Sequence, residues 1–175
     1  MIEQQIKETV RDVMDFPKPG IVFKDITPIL KNQELCTQII DAFVERLSGL
    51  AFDAIAGIES RGFLFGLMLA NRLNKPFIPI RKAGKLPYKT VKQSYNLEYG
   101  SATIEMHEDA FEPGTKILIH DDLLATGGTV EATSLLIQKM KGEIAGFSFI
   151  ISLDFLKGKD LIKPYADKVV ALAEY

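Results

Sequence analysis

The stretch Ile117–Thr129, ILIHDDLLATGGT, decides the fold of this chain. Its apolar run ILI is typical of a buried β-strand, and the residues after the two glycines have the apolar spacing of an α-helix. In an open sheet of parallel strands, the carboxyl ends of the strands border the ligand-binding crevice. We therefore expect Asp121 and Asp122, which come directly after the apolar run and His120, to lie in that crevice.

The loop between these acids and the helix has the composition of a phosphate site. Gly127 and Gly128 allow the backbone to turn its N–H groups toward an anion, and the helix that follows contributes its positive end. Thr126 and Thr129 add hydroxyl donors. Because carboxylates accept hydrogen bonds from sugar hydroxyls and can help to hold a divalent cation, the whole stretch predicts a site for a phosphoribosyl group. The same residues could also simply end a strand and start a helix.

Other phosphate-binding patterns are missing from this stretch. It has neither the GxxxxGKS/T spacing of a nucleoside triphosphate loop nor the GxGxxG spacing of a dinucleotide fingerprint.

Outward from this stretch, apolar runs alternate with helical segments. The expected strands are the runs at 53–58, 77–80, 117–119, 147–153 and 169–173, and the expected helices cover about 35–49, 62–73 and 129–141. The runs are continuously apolar rather than alternating, so the strands are expected to be buried on both faces. This pattern predicts an α/β fold, with a doubly wound and mainly parallel sheet flanked by helices.

Two segments lie outside this alternation. Residues 1–34 predict a helix over about Ile2–Met14, followed by an extended, ordered loop over Phe16–Leu30 that contains three prolines. Residues 81–113 are too long for an ordinary crossover and predict a basic lid followed by a β-hairpin that projects from the sheet. We expect both segments to belong to a single domain of 175 residues.

Composition excludes several classes of protein. The formal net charge is −2, so no overall positive field would draw the chain to nucleic acid or to an anionic membrane surface. The longest apolar stretch is too short to span a membrane. Cys36 is the only cysteine, which excludes an internal disulfide framework and favours a cytoplasmic location.

The chain resembles the type I phosphoribosyltransferases. Within that family, the sequence DDLLATGGT is most similar to that of the members that act on adenine. The resemblance covers about Phe16–Asp154 and is carried by several further blocks, namely FPKPGIVFKDITPIL at 16–30, ESRGFLFG at 59–66, IRKAGKLP at 80–87 and LEYGSATIEMHEDA at 97–110. It implies transfer of a phosphoribosyl group from 5-phosphoribosyl 1-diphosphate to adenine, giving AMP and pyrophosphate. It also implies Mg²⁺, held mainly through the substrate diphosphate and water, and a homodimer in which residues near Arg81 approach the partner's site.

The resemblance also implies roles for individual residues that hold the sugar and its phosphates. Asp121 and Asp122 would meet the ribose hydroxyls, which on an extended strand requires the chain to turn at Asp122. The 5-phosphate would be cradled by Ala125, Thr126, Gly127, Gly128 and Thr129. The diphosphate would be held by Ser60, Arg61, Arg81, Lys82 and Lys85. Without the resemblance, Arg61 could be a surface residue and the basic run a solvated segment.

The base is expected at the proline-rich loop. The resemblance implies that Phe23 stacks on adenine while backbone groups of Val22 and Lys24 contact its edge. It places the Glu98 carboxylate near the base, where it could relay a proton, and Tyr99 in a mobile loop. Seen alone, Phe23 could instead be a core residue and Glu98 a solvated one.

Two positions depart from the family pattern. Lys24 stands where arginine is common, which a backbone role tolerates, and His120 stands where an apolar residue is usual. A lone histidine at a strand end is more often packed or hydrogen-bonded than catalytic.

Two other functions remain open at the level of sequence. One is a phosphoribosyltransferase for a different base, such as a 6-oxopurine. The other is a non-catalytic regulator that senses phosphoribosyl diphosphate, although no attached nucleic-acid-binding or protein-binding segment is evident.

Overall fold

The computed structural model describes residues 1–97 and 100–175, which form one seven-stranded sheet, one two-stranded sheet and the helices around them. The strands are β1 (Arg11–Met14), β2 (Val22–Asp25), β3 (Ala54–Ile58), β4 (Phe77–Lys82), β5 (Thr90–Asn96), β6 (Ser101–His107), β7 (Lys116–Leu124), β8 (Glu143–Ser152) and β9 (Val169–Glu174). The α-helices are α1 (Ile2–Thr9), α2 (Gln33–Arg46), α3 (Gly62–Arg72), α4 (Gly128–Lys139) and α5 (Gly158–Ile162). Short 3₁₀ turns cover Ile29–Lys31 and Asp154–Leu156.

The strand order of the large sheet is β5-β6-β4-β3-β7-β8-β9. The strands from β4 to β9 in this order pair in parallel, whereas β5 and β6 form an antiparallel hairpin. After β3 the chain first adds β4 on one side and later adds β7 on the other side. The crevice therefore opens between the carboxyl ends of β3 and β7, where the order reverses.

Helices cover both faces of the parallel strands, which confirms the doubly wound α/β prediction. One apolar cluster includes Phe43 of α2, Leu69 of α3 and Ile55 of β3. The cluster on the opposite face includes Leu136 of α4 and Phe147 of β8. Every residue of β3 is buried, as its continuous apolar run predicts.

The N-terminal segment differs from its prediction. The helix ends at Thr9, Val10 has extended backbone angles, and Arg11–Met14 pair antiparallel with Val22–Asp25. The helical spacing of Val10, Val13 and Met14 was therefore misleading. Pairing with residues 22–25 outweighed a weak local preference for a helix. The segment expected to be an irregular extended loop contains β2 itself.

The excursion at 81–113 contains the predicted hairpin, formed by β5 and β6. It does not project freely, because β6 pairs with Arg81 and Lys82 of β4 and so extends the sheet at one edge. β5 also lies beside α4, where Lys139 Nζ donates to the Lys92 carbonyl over 3.1 Å. Across residues 1–97 and 100–175, no helix has the length and apolar character needed to cross a membrane.

Candidate active site

The segment after β3 brings an arginine and a helix start to the crevice. The peptide between Glu59 and Ser60 is cis, and Arg61 is the N-cap of α3. A Cβ atom on Gly62 would lie 2.8 Å from Asp121 Oδ1 and 3.1 Å from Asp121 Cα. A glycine is therefore needed for α3 to begin this close to β7.

Both acids of β7 face this helix start, although the chain does not turn at Asp122. β7 continues to Leu124, so the turn that the two acids were expected to need does not form. β3 pairs with β7 only as far as His120, so β7 has no β3 neighbour beyond that residue and both carboxylates reach into the same space. Asp121 and Asp122 border one polar cavity there.

The two carboxylates differ in environment. Arg61 Nε lies 2.7 Å from Asp122 Oδ2, and the Asp122 side chain is 4% exposed. The contact is an ion pair, and this oxygen accepts no hydrogen bond in the described part of the chain. Burial and the negative charge of Asp122 raise the pKa of Asp121 well above its ordinary value. Asp122 thus has a buried oxygen that is ion-paired with Arg61 and accepts no hydrogen bond in the described part of the chain.

The phosphate loop ends at the start of α4. Gly127 is the N-cap with φ of +88°, and no side chain caps the helix, so its first N–H groups are available to an anion. A Cβ atom on Gly127 would lie 3.0 Å from the carbonyl oxygen of Gly158, at the start of α5. A Cβ atom on Gly158 would collide with the carbonyl oxygen of Ala125. The loop and α5 therefore touch backbone to backbone.

Two adjoining cavities open at the crevice. A polar cavity of about 320 Å³ is lined by Glu59, Ser60, Arg61, Lys82, Lys85, Asp121, Asp122 and Leu123. A larger and more apolar cavity of about 990 Å³ is lined by Gly20, Ile21, Val22, Phe23, Lys24, Arg61, Tyr95, Asn96, Leu97, Leu123, Ala125, Thr126, Gly128, Thr129, Leu153, Phe155 and Leu156. Arg61 and Leu123 border both spaces, so a ligand that fills the two cavities must pass these side chains.

The predicted base segment lies in β2, on the wall of the larger cavity. The guanidinium carbon of Arg61 lies 4.7 Å from the centroid of the Phe23 ring. Phe16 contacts the same ring edge-on, with 5.1 Å between the ring centroids. Phe23 is partly exposed rather than a core residue. Its ring is therefore available for stacking on a flat ligand.

The basic segment is held by Glu59, a largely buried acid that the sequence analysis did not identify. Glu59 accepts from the Lys82 N–H over 2.8 Å and from Arg81 Nη2 over 3.2 Å. Burial alone would raise the pKa of Glu59, but these bonds and the charges of Arg81 and Lys85 outweigh it and lower that pKa. Lys82 and Lys85 line the polar cavity, whereas Arg81 lines neither of the two cavities.

A second acid, Glu105 of β6, is 1% exposed. Its Oε1 accepts from the N–H groups of Lys85 and Leu86, both over 2.9 Å, and its Oε2 accepts from the Thr90 hydroxyl over 3.2 Å. Burial would raise the pKa of Glu105, but the backbone N–H groups of Leu86, Gly84 and Lys85 outweigh it and lower that pKa. The turn that carries Lys85 is thus folded around a carboxylate.

The remaining predicted residues divide into three groups. Ser60, Ala125, Thr126, Gly128 and Thr129 line one of the two cavities, and Gly127 lies behind them as the N-cap of α4. Thr129 also donates its hydroxyl to Tyr95 Oη over 3.1 Å. Glu98 and Tyr99 lie outside the described residues, so their roles stay predictions.

His120 is a core residue, in agreement with the expectation for a lone histidine. It is 0% exposed, its Nδ1 lies 2.9 Å from Ser148 Oγ, and its ring contacts Phe43 edge-on. Burial lowers the pKa of His120 to about 3. The imidazole is therefore neutral at physiological pH.

Several residues that line the site or support it were missed, and the sequence contains a signal for only some of them. Glu59 stands directly before Ser60 at the end of a predicted parallel strand, so its position could have been inferred. Leu123 follows the two acids and could have been found in the same way. Glu105 alternates with apolar neighbours in SATIEMH, a pattern that predicts an outward side chain, and Phe155 lies in a 3₁₀ turn without a local signal.

No group of three or more His, Cys, Asp and Glu side chains suited to a metal ion occurs among the residues that the structure describes. Carboxylate oxygens are nevertheless the donors that Mg²⁺ prefers, and Oδ2 of Asp122, which is ion-paired with Arg61 but accepts no hydrogen bond from the described residues, is one of them. This arrangement fits a cation that is held mainly by a ligand and water and only in part by the chain.

The fold and the site together define a phosphoribosyltransferase. Residues 25–172 match the family described as the phosphoribosyl transferase domain, and the chain belongs to that family. Within the family, it is grouped with the adenine phosphoribosyltransferases by its curated relatives. The adenine phosphoribosyltransferase of Cytophaga hutchinsonii is 58% identical over 100% of this chain and 97% of its own length. That of Acidobacterium capsulatum is 55% identical over 90% of this chain and 87% of its own length.

Solved structures give the same result. The adenine phosphoribosyltransferase of Thermoanaerobacter pseudethanolicus superimposes with a TM-score of 0.96 at 42% identity, covering 100% of both chains. That of Saccharomyces cerevisiae, complexed with D-2,5-dideoxy-2,5-imino-altritol 1,6-bisphosphate and adenine, superimposes with a TM-score of 0.88 at 38% identity, covering 98% of both chains. The resemblance stated from sequence is therefore confirmed.

Proposed function

We propose that this chain catalyses purine salvage by transferring the phosphoribosyl group of 5-phosphoribosyl 1-diphosphate to adenine, giving AMP and pyrophosphate. One observation carries the proposal for the site. A cavity of about 990 Å³ is lined both by the β2 segment and by the phosphate loop, and it adjoins a polar cavity with three acids, two lysines and an arginine. A base, a sugar phosphate and a diphosphate can therefore be held next to one another.

The base occupies the larger cavity. Phe23 stacks on adenine, backbone groups of Val22 and Lys24 contact its edge, and Leu123 closes the wall shared with the polar cavity. Glu98 is the proposed proton relay to the base, and Tyr99 belongs to the loop beside it. Stacking of a base on an aromatic ring contributes about 1–3 kcal/mol, so Phe23 dominates the affinity for adenine.

The sugar and its phosphates occupy the crevice between β3 and β7. The segment Ala125–Thr129 and the uncapped start of α4 bind the 5-phosphate through backbone N–H and hydroxyl groups. Asp121 and Asp122 accept hydrogen bonds from the ribose hydroxyls. When the bond to the diphosphate breaks, positive charge develops on the sugar ring, and the buried acids stabilise it by proximity.

Cationic groups bind the leaving diphosphate. Lys82, Lys85 and Arg61 line the polar cavity, and Ser60 adds a hydroxyl. Arg81 lies beside Glu59 at the end of β4 and is proposed to join them. Mg²⁺, when bound, would neutralise charge on the diphosphate, and the Asp122 carboxylate in the polar cavity would assist in holding it.

We propose that the enzyme is a homodimer of the cytoplasm. Leu64 and Leu67 on α3 are 41% and 57% exposed, which supports an apolar contact with a second copy close to the crevice. The single cysteine, Cys36, is buried and free, which suits a reducing compartment. Light scattering at assay concentration tests the dimer, and a mass equal to one chain of 19.5 kDa would contradict it.

Product analysis tests the activity directly. The chain is incubated with 5-phosphoribosyl 1-diphosphate and Mg²⁺ together with adenine, hypoxanthine, guanine or orotate in separate reactions. AMP from adenine, with little product from the other bases, is the expected outcome. Faster turnover of hypoxanthine or guanine would assign a different purine, and binding of the sugar diphosphate without any product would indicate a sensor.

A further inference from the structure

Tyr175 lies beside the proposed base segment but belongs to the far end of the large sheet. Its N–H donates to the Ser152 carbonyl over 2.9 Å, and its own carbonyl accepts from the Asp154 N–H over 2.9 Å. These two backbone bonds extend the pairing of β8 with β9. The aromatic ring of Tyr175 is therefore attached to a part of the fold that hydrogen bonds hold in place.

The ring contacts the side chain of Lys24. Lys24 Nζ lies 4.0 Å from the centroid of the Tyr175 ring and 2.6 Å from Asp12 Oδ1. The Lys24 side chain is only 13% exposed, so water weakens this cation–π contact less than it would at the surface. With two partners already in place, the ammonium is a tether for β2.

β2 needs such a tether because it has no backbone partner in the large sheet. Among the described residues it pairs with β1 alone, and an isolated two-stranded sheet is marginally stable in water. Met14 and Phe16, at the turn end of this sheet, are 67% and 51% exposed. Side-chain contacts such as that between Lys24 and Tyr175 must therefore set the distance between β2 and the rest of the fold.

We propose that Tyr175 is a positioning residue for the base, acting through Lys24 to hold Val22–Lys24 at the wall of the larger cavity. Tyr175 does not line that cavity itself, so it acts without touching the ligand. The inference rests on the proposed function of Val22–Lys24 as the base segment.

The electrostatic surroundings of the ring are consistent with this role. Burial, followed by the carboxylates of Asp12 and Glu3, raises the pKa of Tyr175. The phenol is therefore neutral at any pH suitable for an assay. Lys7 Nζ also approaches the ring, at 5.3 Å from the centroid, but Lys7 lies on α1, where it pairs with Glu3, and is not part of the base segment. It provides a matched control.

The test compares Tyr175→Leu, Tyr175→Phe and Lys7→Met in the full chain by steady-state kinetics with both substrates. Tyr175→Leu removes the π face while keeping an apolar side chain, and we expect it to raise the KM for adenine about three- to tenfold. The KM for the sugar diphosphate and kcat should change less than twofold. Tyr175→Phe keeps the π face and should restore the adenine KM, and Lys7→Met should resemble the wild type.

Two outcomes overturn the inference. An adenine KM within twofold of wild type in Tyr175→Leu removes the positioning role, and equal changes in the KM of both substrates show a merely structural one. Phe23→Ala separates this failure from failure of the proposed function. If Phe23→Ala raises the adenine KM while Tyr175→Leu does not, only the tether is wrong, whereas no effect from Phe23→Ala removes the base segment itself.

Discussion

Replacing Glu105 with glutamine would measure how strongly the basic turn depends on its buried carboxylate. Glutamine keeps one oxygen for the two backbone N–H groups at 2.9 Å but loses the negative charge. A hydrogen bond to a charged group contributes about 1 kcal/mol more than a neutral one, so the two bonds predict a loss of about 2 kcal/mol in the free energy of unfolding. The new NH₂ group would also face Lys92 Nζ, now 3.9 Å from Oε2.

Urea denaturation at pH 7 measures this loss, and a thermal scan should show a melting temperature lower by about 4–8 °C. Because Lys85 lines the polar cavity, the KM for the sugar diphosphate should rise more than the KM for adenine. Glu108→Gln is the matched control. Glu108 is exposed and lies 3.9 Å from Lys89 Nζ, so its loss should change stability by less than about 0.5 kcal/mol.

The effect of Glu105→Gln should depend on pH in a defined direction. The pKa of Glu105 is lowered in the folded protein, so its ionised form stabilises the fold above its ordinary pKa of 4.5. That stability is lost as the pH falls through the lowered value, and the wild type and variant should converge in acid. Equal stability at pH 7, or a difference that persists unchanged in acid, would refute the argument.

Three further predictions concern the base, the sugar and the core. Phe23→Ala should raise the KM for adenine about 5- to 150-fold with a much smaller effect on the sugar diphosphate, and equal effects on both would contradict stacking. Asp122→Asn should raise the KM for the sugar diphosphate about tenfold or more while circular dichroism shows an intact fold, and unchanged kinetics would remove Asp122 from the site. His120 has its pKa lowered from 6.5 to about 3, so it should cost the wild type about 2 kcal/mol of stability between pH 7 and pH 5. Urea denaturation at both pH values should show a smaller loss in His120→Leu, and parallel losses in the two proteins would contradict the assignment.

The central part of the fold could be predicted because its signals are local and strong. The runs at β3, β4, β7, β8 and β9 are continuously apolar, and glycines mark the starts of α3 and α4. Both acids and both glycine-bearing loops come at the carboxyl ends of parallel strands, and topology alone brings such ends together. The crevice between β3 and β7 therefore follows from periodicity and chain order.

The rest depends on partners that are distant in sequence. Arg11–Met14 form a strand because they hydrogen-bond to Val22–Asp25, although their own sequence pattern favours a helix. Glu105 is buried because N–H groups of the turn at 84–86 donate to its carboxylate. The alternating pattern of β6 gives no information about that turn. The expected turn at Asp122 does not form, because β7 runs on to Leu124 while β3 pairs with it only as far as His120, and the sequence of one strand does not reveal where its neighbour's pairing stops.

The backbone contact between the phosphate loop and Gly158 changes how sequence variants of this enzyme should be interpreted. Gly158 is buried but borders neither cavity, is separated from Gly127 by the whole of α4 and β8, and follows a run of four exposed residues. A survey that ranks variants by their distance along the chain from the active site would class a change there as harmless. Yet any side chain at position 158 would collide with the carbonyl oxygen of Ala125 and displace the phosphate loop. Such a variant would therefore lower the affinity for substrate although it lies far along the chain from the loop.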